Sequence, residues 1–151
     1  MTLTHKEKEI VAAGISVATG CKSCTHFHLG AAREAGATDA EIRQAIDDAL
    51  TVRRQAADVI EAYALARLGE EPRAESPMLP GEVTHIRSLV ALGSAFVVNW
   101  VSSLERYLEC AERAGVSRPD VLEIIALAIA IRERAEAFAR RPIRAFEKEA
   151  A

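Results

Sequence analysis

The chain has 151 residues, of which 50% are hydrophobic, 27% charged and only 5% aromatic, a composition typical of one helical globular domain. Its formal net charge of −3 argues against nucleic-acid binding, because a phosphate-binding surface needs a clustered basic excess. The longest apolar run, Ile124 to Ile131, is too short to span a membrane, and the N-terminus lacks the apolar segment of a signal peptide. We therefore expect a cytoplasmic protein that does not contact membranes. In that compartment, a close cysteine pair indicates catalysis or metal binding rather than a structural disulfide.

Local signals divide the first half of the chain into three helices. Thr4 with Glu7, and Thr38 with Glu41, form the Thr-x-x-Glu pattern of a capping box, which marks the start of a helix. Glycines mark where helices end. The predicted helices run from about His5 to Ala18, from near Cys21 to Gly36, and from Thr38 to just before Gly69.

The second half of the chain repeats the first at an offset of 79 residues. A connector at 69–81, with three prolines and two glycines, separates the halves. Between Ile10 and Ala56, twelve residues have an identical partner 79 positions later, and the helix breaks coincide. We predict a single all-α domain of two three-helix units about a pseudo-two-fold axis. It comprises an active repeat at about 4–68, a degenerate repeat at about 82–141, and a mobile or partner-docking tail at 142–151 after a helix ended by Pro142.

A Cys-x-x-Cys-x-x-x-His motif stands at the start of the second predicted helix. Cys21 and Cys24 fall in its first turn, where the helix dipole favours a thiolate, and their spacing permits a disulfide. His28 lies one turn beyond Cys24 on the same face and could act as its base. Thr25 follows Cys24 directly, which excludes c-type haem attachment. The alternatives are a zinc site with too few ligands, or cysteines that are simply buried.

The degenerate repeat lacks this motif. Its residues at the positions of Cys21, Cys24 and His28 are Trp100, Ser103 and Tyr107. If the motif were needed for folding, the second repeat should have kept it, so we interpret the motif as functional. Trp100 and Tyr107 are expected to fill the space that the active repeat leaves for substrate.

A carboxylate that orients His28 would complete the site. Glu9 is the last charge before the apolar run "IVAAGISVA" and could point inward, although a solvated helix charge is the alternative. Its repeat partner is Ser88, so the carboxylate too is absent from the second repeat.

Glu9, followed twelve residues later by Cys21 and then by Cys-x-x-Cys-x-x-x-His, resembles the signature of the AhpD-like alkylhydroperoxidases, within the carboxymuconolactone decarboxylase superfamily. The resemblance implies that Cys24 is the peroxidatic thiol, Cys21 the resolving thiol, His28 the base, and Glu9 the group that orients His28 or relays its proton. It implies antioxidant reduction of hydroperoxides by a dithiol or lipoyl-type protein reductant, with no metal, flavin or nucleotide cofactor. The decarboxylases of the superfamily lack the cysteine pair, which argues against decarboxylation here.

The resemblance also implies a homo-oligomer, because single-copy relatives tend to form hexamers of paired units. Three duplicated chains would make the same ring of six units, so we expect a trimer. The segment Ser94–Val101 is predicted to be an apolar face only partly covered within one chain. Two alternatives to an enzyme remain, namely a zinc-binding interaction module and a redox-sensing subunit without turnover. The remaining side chains are expected to be structural: Cys110 buried, His26 at the surface or an interface, and His5 and His85 solvated.

Overall fold

The computed structural model describes residues 2–74 and 78–150, and within them it has six helices and no strand, which confirms the all-α prediction. Residues 75–77 of the predicted connector and residue 151 of the predicted tail lie outside the described residues. The helices are α1 His5–Thr19, α2 Lys22–Glu34, α3 Asp39–Arg67, α4 His85–Val97, α5 Val101–Arg113 and α6 Arg118–Ala150. The bounds of α2 and α5 differ by 79 residues, the offset on which the predicted duplication rests, and the duplication itself stays a prediction.

The predicted helix boundaries of the first half are produced by local hydrogen bonds. At α1, the backbone N–H of Glu7 donates to Thr4 Oγ1 at 3.2 Å, and the Thr4 backbone N–H donates to Glu7 Oε2 at 2.8 Å. Thr38 and Glu41 make the same reciprocal pair at the start of α3. Gly20 ends α1 with φ of 79°, a left-handed conformation that favours glycine. The predicted starts of both helices are confirmed.

The two central helices, α1 and α4, form the core. Each buries an almost continuous run of side chains, from Ile10 to Ser16 in α1 and from Ser88 to Ala95 in α4. They approach closely through glycines, since a Cβ atom on Gly14 would lie 2.8 Å from Cγ1 of Val90, and one on Gly93 would collide with Ile15. Gly14 and Gly93 occupy the same repeat position, so both halves use a small residue where the central helices pack together.

Ion pairs connect each central helix to the third helix of the opposite half. Lys8 of α1 contacts Glu123 of α6 at 2.8 Å, and Arg87 of α4 contacts the buried Asp48 of α3 at 2.9 Å. Lys8 and Arg87 are 79 residues apart, so they occupy the same repeat position, and each binds an acidic residue on the third helix of the other half. This exchange brings α6 of the second half against α1 and α2 of the first half.

The last helix continues through Pro142, so the prediction that Pro142 ends it is wrong. Proline removes one backbone hydrogen bond from a helix, but residues 139–150 are exposed, so water can satisfy the carbonyl that loses its donor. The flanking Ala, Arg, Glu and Lys residues have high helix propensity. The described part of the predicted tail is therefore helical. Across residues 2–74 and 78–150, no helix is long and apolar enough to cross a membrane.

The segment Ser94–Val101, predicted to be an apolar face only partly covered within the chain, has about half of its side chains buried. Ser94, Ala95, Val97 and Trp100 are buried, and only Val101 is a large exposed hydrophobic side chain, at 71%. The cause is the central position of α4, which packs against α1, α3, α5 and α6 together. Exposed apolar side chains lie elsewhere, among them Phe27 on α2 and Ile143 and Phe146 on α6.

Candidate functional site

The two cysteines of the motif lie at the N-terminus of α2. Cys21 is the N-cap residue, and its sulfur accepts a hydrogen bond from the backbone N–H of Cys24 at 3.2 Å. The two sulfurs are joined as a disulfide, with Cα atoms 5.3 Å apart. Both residues are buried. On reduction, a thiolate here would face the free N–H groups and the positive end of the helix dipole, which stabilise the anion.

His28 and Glu9 are brought together from different helices. The Nδ1–H of His28 on α2 donates to Glu9 Oε2 on α1 at 2.8 Å, because an ionised carboxylate can only accept. Their side chains are 14% and 17% exposed. The expected proximity of these two groups is therefore present, and Glu9 is not the solvated charge of the alternative reading. The contact occupies Nδ1, so Nε2 is the ring nitrogen left to exchange a proton.

A cleft of about 500 Å³ opens beside the motif. Cys24 and His28 line it, whereas Cys21 lies outside its lining. The opposite wall comes from α6, a helix whose sequence carries no motif that points to the site. The full lining consists of Ser23, Cys24, Phe27 and His28 from α2, and Leu127, Ala130, Ile131, Arg134 and Phe138 from α6.

The corresponding position in the second half contains no thiol and no imidazole. Trp100 and Tyr107 are buried there, with their rings 6.3 Å apart in an edge-to-face arrangement. The Ser103 hydroxyl donates to the Trp100 carbonyl oxygen at 2.8 Å. Burial raises the pKa of Tyr107 to about 12, so this phenol is neutral at physiological pH. The aromatic pair thus packs where the first half has its cysteine and histidine.

His85 differs from its predicted solvated state. Its Nε2–H donates to Glu7 Oε1 at 2.8 Å. The side chains of His85 and Glu7 are only 26% and 16% exposed, because the starts of α1 and α4 meet. Burial alone would raise the pKa of Glu7, but hydrogen bonds from Thr4 and His85 bring this pKa below its ordinary value. The Glu7–His85 pair has the same contact distance as Glu9–His28, but the cysteine that lines a cavity with His85 is Cys110 of α5, and neither Cys21 nor Cys24 lines it.

Cys110 and His26 do not line the cleft beside the motif. Cys110 is partly buried rather than fully buried as predicted, because it lines a cavity between α5 and residues 82–85 at the start of α4. His26 is exposed and lines a different surface cavity, as its predicted position on α2 implied. Among residues 2–74 and 78–150, no group of three or more His, Cys, Asp or Glu side chains is placed to hold a metal ion.

Comparison with known families gives one match. Residues 2–68 match the model described as the carboxymuconolactone decarboxylase family. The matched range contains α1, α2 and α3, and therefore all four residues of the motif. No curated protein and no solved structure gave a significant match to the chain.

Proposed function

We propose that the chain is a thiol-dependent alkylhydroperoxidase, since its residues 2–68 match the carboxymuconolactone decarboxylase family, which includes the AhpD-like peroxidases. Its redox centre is the Cys21–Cys24 pair, its base is His28, and Glu9 positions His28. The reaction reduces an organic hydroperoxide to the alcohol and water at the expense of a dithiol.

The first step is the oxidation of Cys24. His28 Nε2 accepts the thiol proton, directly or through a water molecule, and the resulting imidazolium is stabilised by Glu9 at Nδ1. The thiolate attacks the outer oxygen of the hydroperoxide and the O–O bond breaks. The departing alkoxide takes the proton from the His28 imidazolium and leaves as the alcohol. Cys24 becomes a sulfenic acid.

The second step closes the disulfide. The Cys21 thiol displaces water from the Cys24 sulfenic acid, and the two sulfurs are close enough to bond without rearrangement of α2. An external dithiol or lipoyl-type protein reductant then attacks the disulfide, becomes oxidised itself and restores both thiols. This cycle requires no metal, flavin or nucleotide.

One observation carries the assignment of roles: Cys24 shares the lining of the cleft with His28, and Cys21 does not. A hydroperoxide in the cleft would therefore meet Cys24 first. The Glu9–His28 contact supports a base at that position, since a histidine held by a carboxylate is oriented and stabilised when protonated.

Steady-state consumption of cumene hydroperoxide with dihydrolipoamide as donor tests the proposal. We expect turnover by the wild type, none by Cys24→Ser, and a sulfenic acid that dimedone traps in Cys21→Ser. Cys110→Ser is the matched control and should keep its activity, because Cys110 lies outside the cleft. Activity in Cys24→Ser would remove Cys24 from the mechanism. A disulfide that forms without turnover would favour the redox-sensing alternative.

A further inference from the structure

Arg134 is the one charged side chain that α6 contributes to the cleft. It shares the cleft lining with Cys24 and His28, and the rest of the α6 wall is apolar. A hydroperoxide group is neutral, and the N-terminus of α2 and His28 already face the charge on Cys24, so the reaction does not by itself call for a further cation in the wall. The position of Arg134 instead suits a second, anionic group on the bound molecule.

Nothing in the described part of the chain neutralises Arg134. It makes no ion pair or hydrogen bond there, in contrast to Arg140 on the same helix, whose Nη2–H donates to Glu136. Acidic residues three or four positions away would be its natural helical partners. Those four positions are all apolar: Ala130, Ile131, Ala137 and Phe138.

A second, smaller cavity of about 280 Å³ adjoins the cleft along α6. Arg134 and Phe138 line both cavities, and the second also has Arg141, whose guanidinium carbon lies 4.5 Å from the centre of the Phe138 ring. The face thus runs from an apolar region beside Cys24 to a pair of cations flanking Phe138. This order fits a molecule with an apolar body and an anionic end.

The size of the cleft favours a small molecule. Its volume of about 500 Å³ falls in the usual range for ligand pockets, roughly 300–1,000 Å³. Phe27 and Phe138 stand on its two walls and offer aromatic faces to the body of the ligand.

We propose that the cleft selects hydroperoxides that carry a carboxylate, with the apolar body between Phe27 and Phe138 and the carboxylate on Arg134. This inference rests on the proposed function, because only a peroxidase would reduce the bound hydroperoxide. The binding of a carboxylate by Arg134 is a separate claim that does not require turnover. Arg134 is a specificity-determining residue in this proposal, and it takes no part in the thiol chemistry.

A pair of substrates that differ only in charge tests the selection. The ratio of kcat/KM for 4-carboxycumene hydroperoxide to that for cumene hydroperoxide should exceed one in the wild type. In Arg134→Gln, which introduces the residue found at the same repeat position (Gln55), the ratio should fall by roughly 3- to 10-fold, as for a partly solvated charge pair. Arg140→Gln is the matched control, and its ratio should equal that of the wild type.

Two kinetic outcomes would overturn the inference. An equal loss for both hydroperoxides would assign Arg134 to the reactivity of Cys24 rather than to the carboxylate. A loss confined to kcat/KM for the reductant would assign Arg134 to the docking of an acidic donor protein.

Binding of an unreactive analogue separates this inference from the proposed function. Calorimetry should show that 4-isopropylbenzoate binds the wild type more tightly than 4-isopropylbenzamide does, and that Arg134→Gln removes the difference. Equal binding of the two analogues by the wild type would overturn the inference, whatever the turnover. Preferred binding of the benzoate by a protein without peroxidase activity would uphold the anion site and refute the proposed function.

Discussion

Replacing Glu9 with Gln keeps the shape of the side chain and removes its charge, so it isolates the electrostatic part of the Glu9–His28 contact. Gln can still accept a hydrogen bond from His28 Nδ1, which lies 2.8 Å from the Glu9 carboxylate. What is lost is the stabilisation of the imidazolium that forms when His28 takes the proton of Cys24. We therefore expect slower oxidation of Cys24 with little change in folding.

The magnitude follows from the kind of hydrogen bond that is replaced. Bonds to a charged group contribute about 1.5–3 kcal/mol and neutral ones about 0.5–1.5 kcal/mol, so the exchange costs about 1–1.5 kcal/mol. The two side chains are only 14% and 17% exposed, which limits screening by solvent. At about 1.4 kcal/mol per factor of ten, Glu9→Gln should slow the reaction roughly tenfold. His28→Ala removes the base altogether and should slow it roughly 10²–10⁴-fold.

The assay is single-turnover oxidation of the reduced protein by cumene hydroperoxide, quenched by acid and alkylation. Mass spectrometry then measures the fraction of chains with the Cys21–Cys24 disulfide at each time. A strong oxidant such as diamide should still form this disulfide in both variants, because the sulfurs remain adjacent. That result would show that the base was removed and that the cysteine pair stayed intact.

The chain offers a matched control in Glu7→Gln. Glu7 makes a second carboxylate–histidine contact of 2.8 Å from the same helix, with His85, and neither Cys21 nor Cys24 lines the cavity beside His85. Its loss should leave the oxidation rate of Cys24 unchanged. Wild-type rates for Glu9→Gln across the pH range would refute the relay, as would equal losses in Glu9→Gln and Glu7→Gln.

Two further predictions concern stability and assembly. Because burial raises the pKa of Tyr107 to about 12, the unfolded state loses its phenolic proton first as pH rises. This contribution to stability is complete below about pH 10 and should fall by about 2–3 kcal/mol between pH 10 and 12 in denaturant unfolding of the wild type. Tyr107→Phe should abolish that loss and, since the buried hydroxyl has no hydrogen-bond partner among the described residues, should leave the protein at least as stable at neutral pH. We also propose a trimer, for which light scattering at micromolar concentration should give the mass of three 16.3 kDa chains, and the mass of one or two chains would refute the proposed ring.

The sequence was sufficient for the helices of the first half because their boundaries depend on neighbouring residues. The Thr4–Glu7 and Thr38–Glu41 capping boxes act over three residues, and each is formed as the pattern predicts. The same kind of local signal wrongly predicted that α6 ends at Pro142. The cost of this proline is real, but an exposed helix can lose one hydrogen bond to water and continue.

The site was predictable on one wall and not on the other. Cys21, Cys24 and His28 follow one another over the first two turns of α2, so their proximity follows from spacing alone. The contact of Glu9 with His28 crosses between helices, and the sequence offered only its place at the edge of an apolar run. Arg134 could not be assigned, because its approach to Cys24 depends on how α6 packs against the opposite half.

The packing of α6 makes the second half necessary to the site although it lacks the thiols. The family match ends at residue 68, yet Leu127, Arg134 and Phe138 supply the far wall of the cleft. α4 also covers the buried face of α1, the helix that carries Glu9. In the second half, Trp100 and Tyr107 replace the reactive pair while α4 and α6 keep these supporting roles. Under the proposed function, the chain therefore has one reaction centre to which both halves contribute, and α6 determines which hydroperoxide enters it.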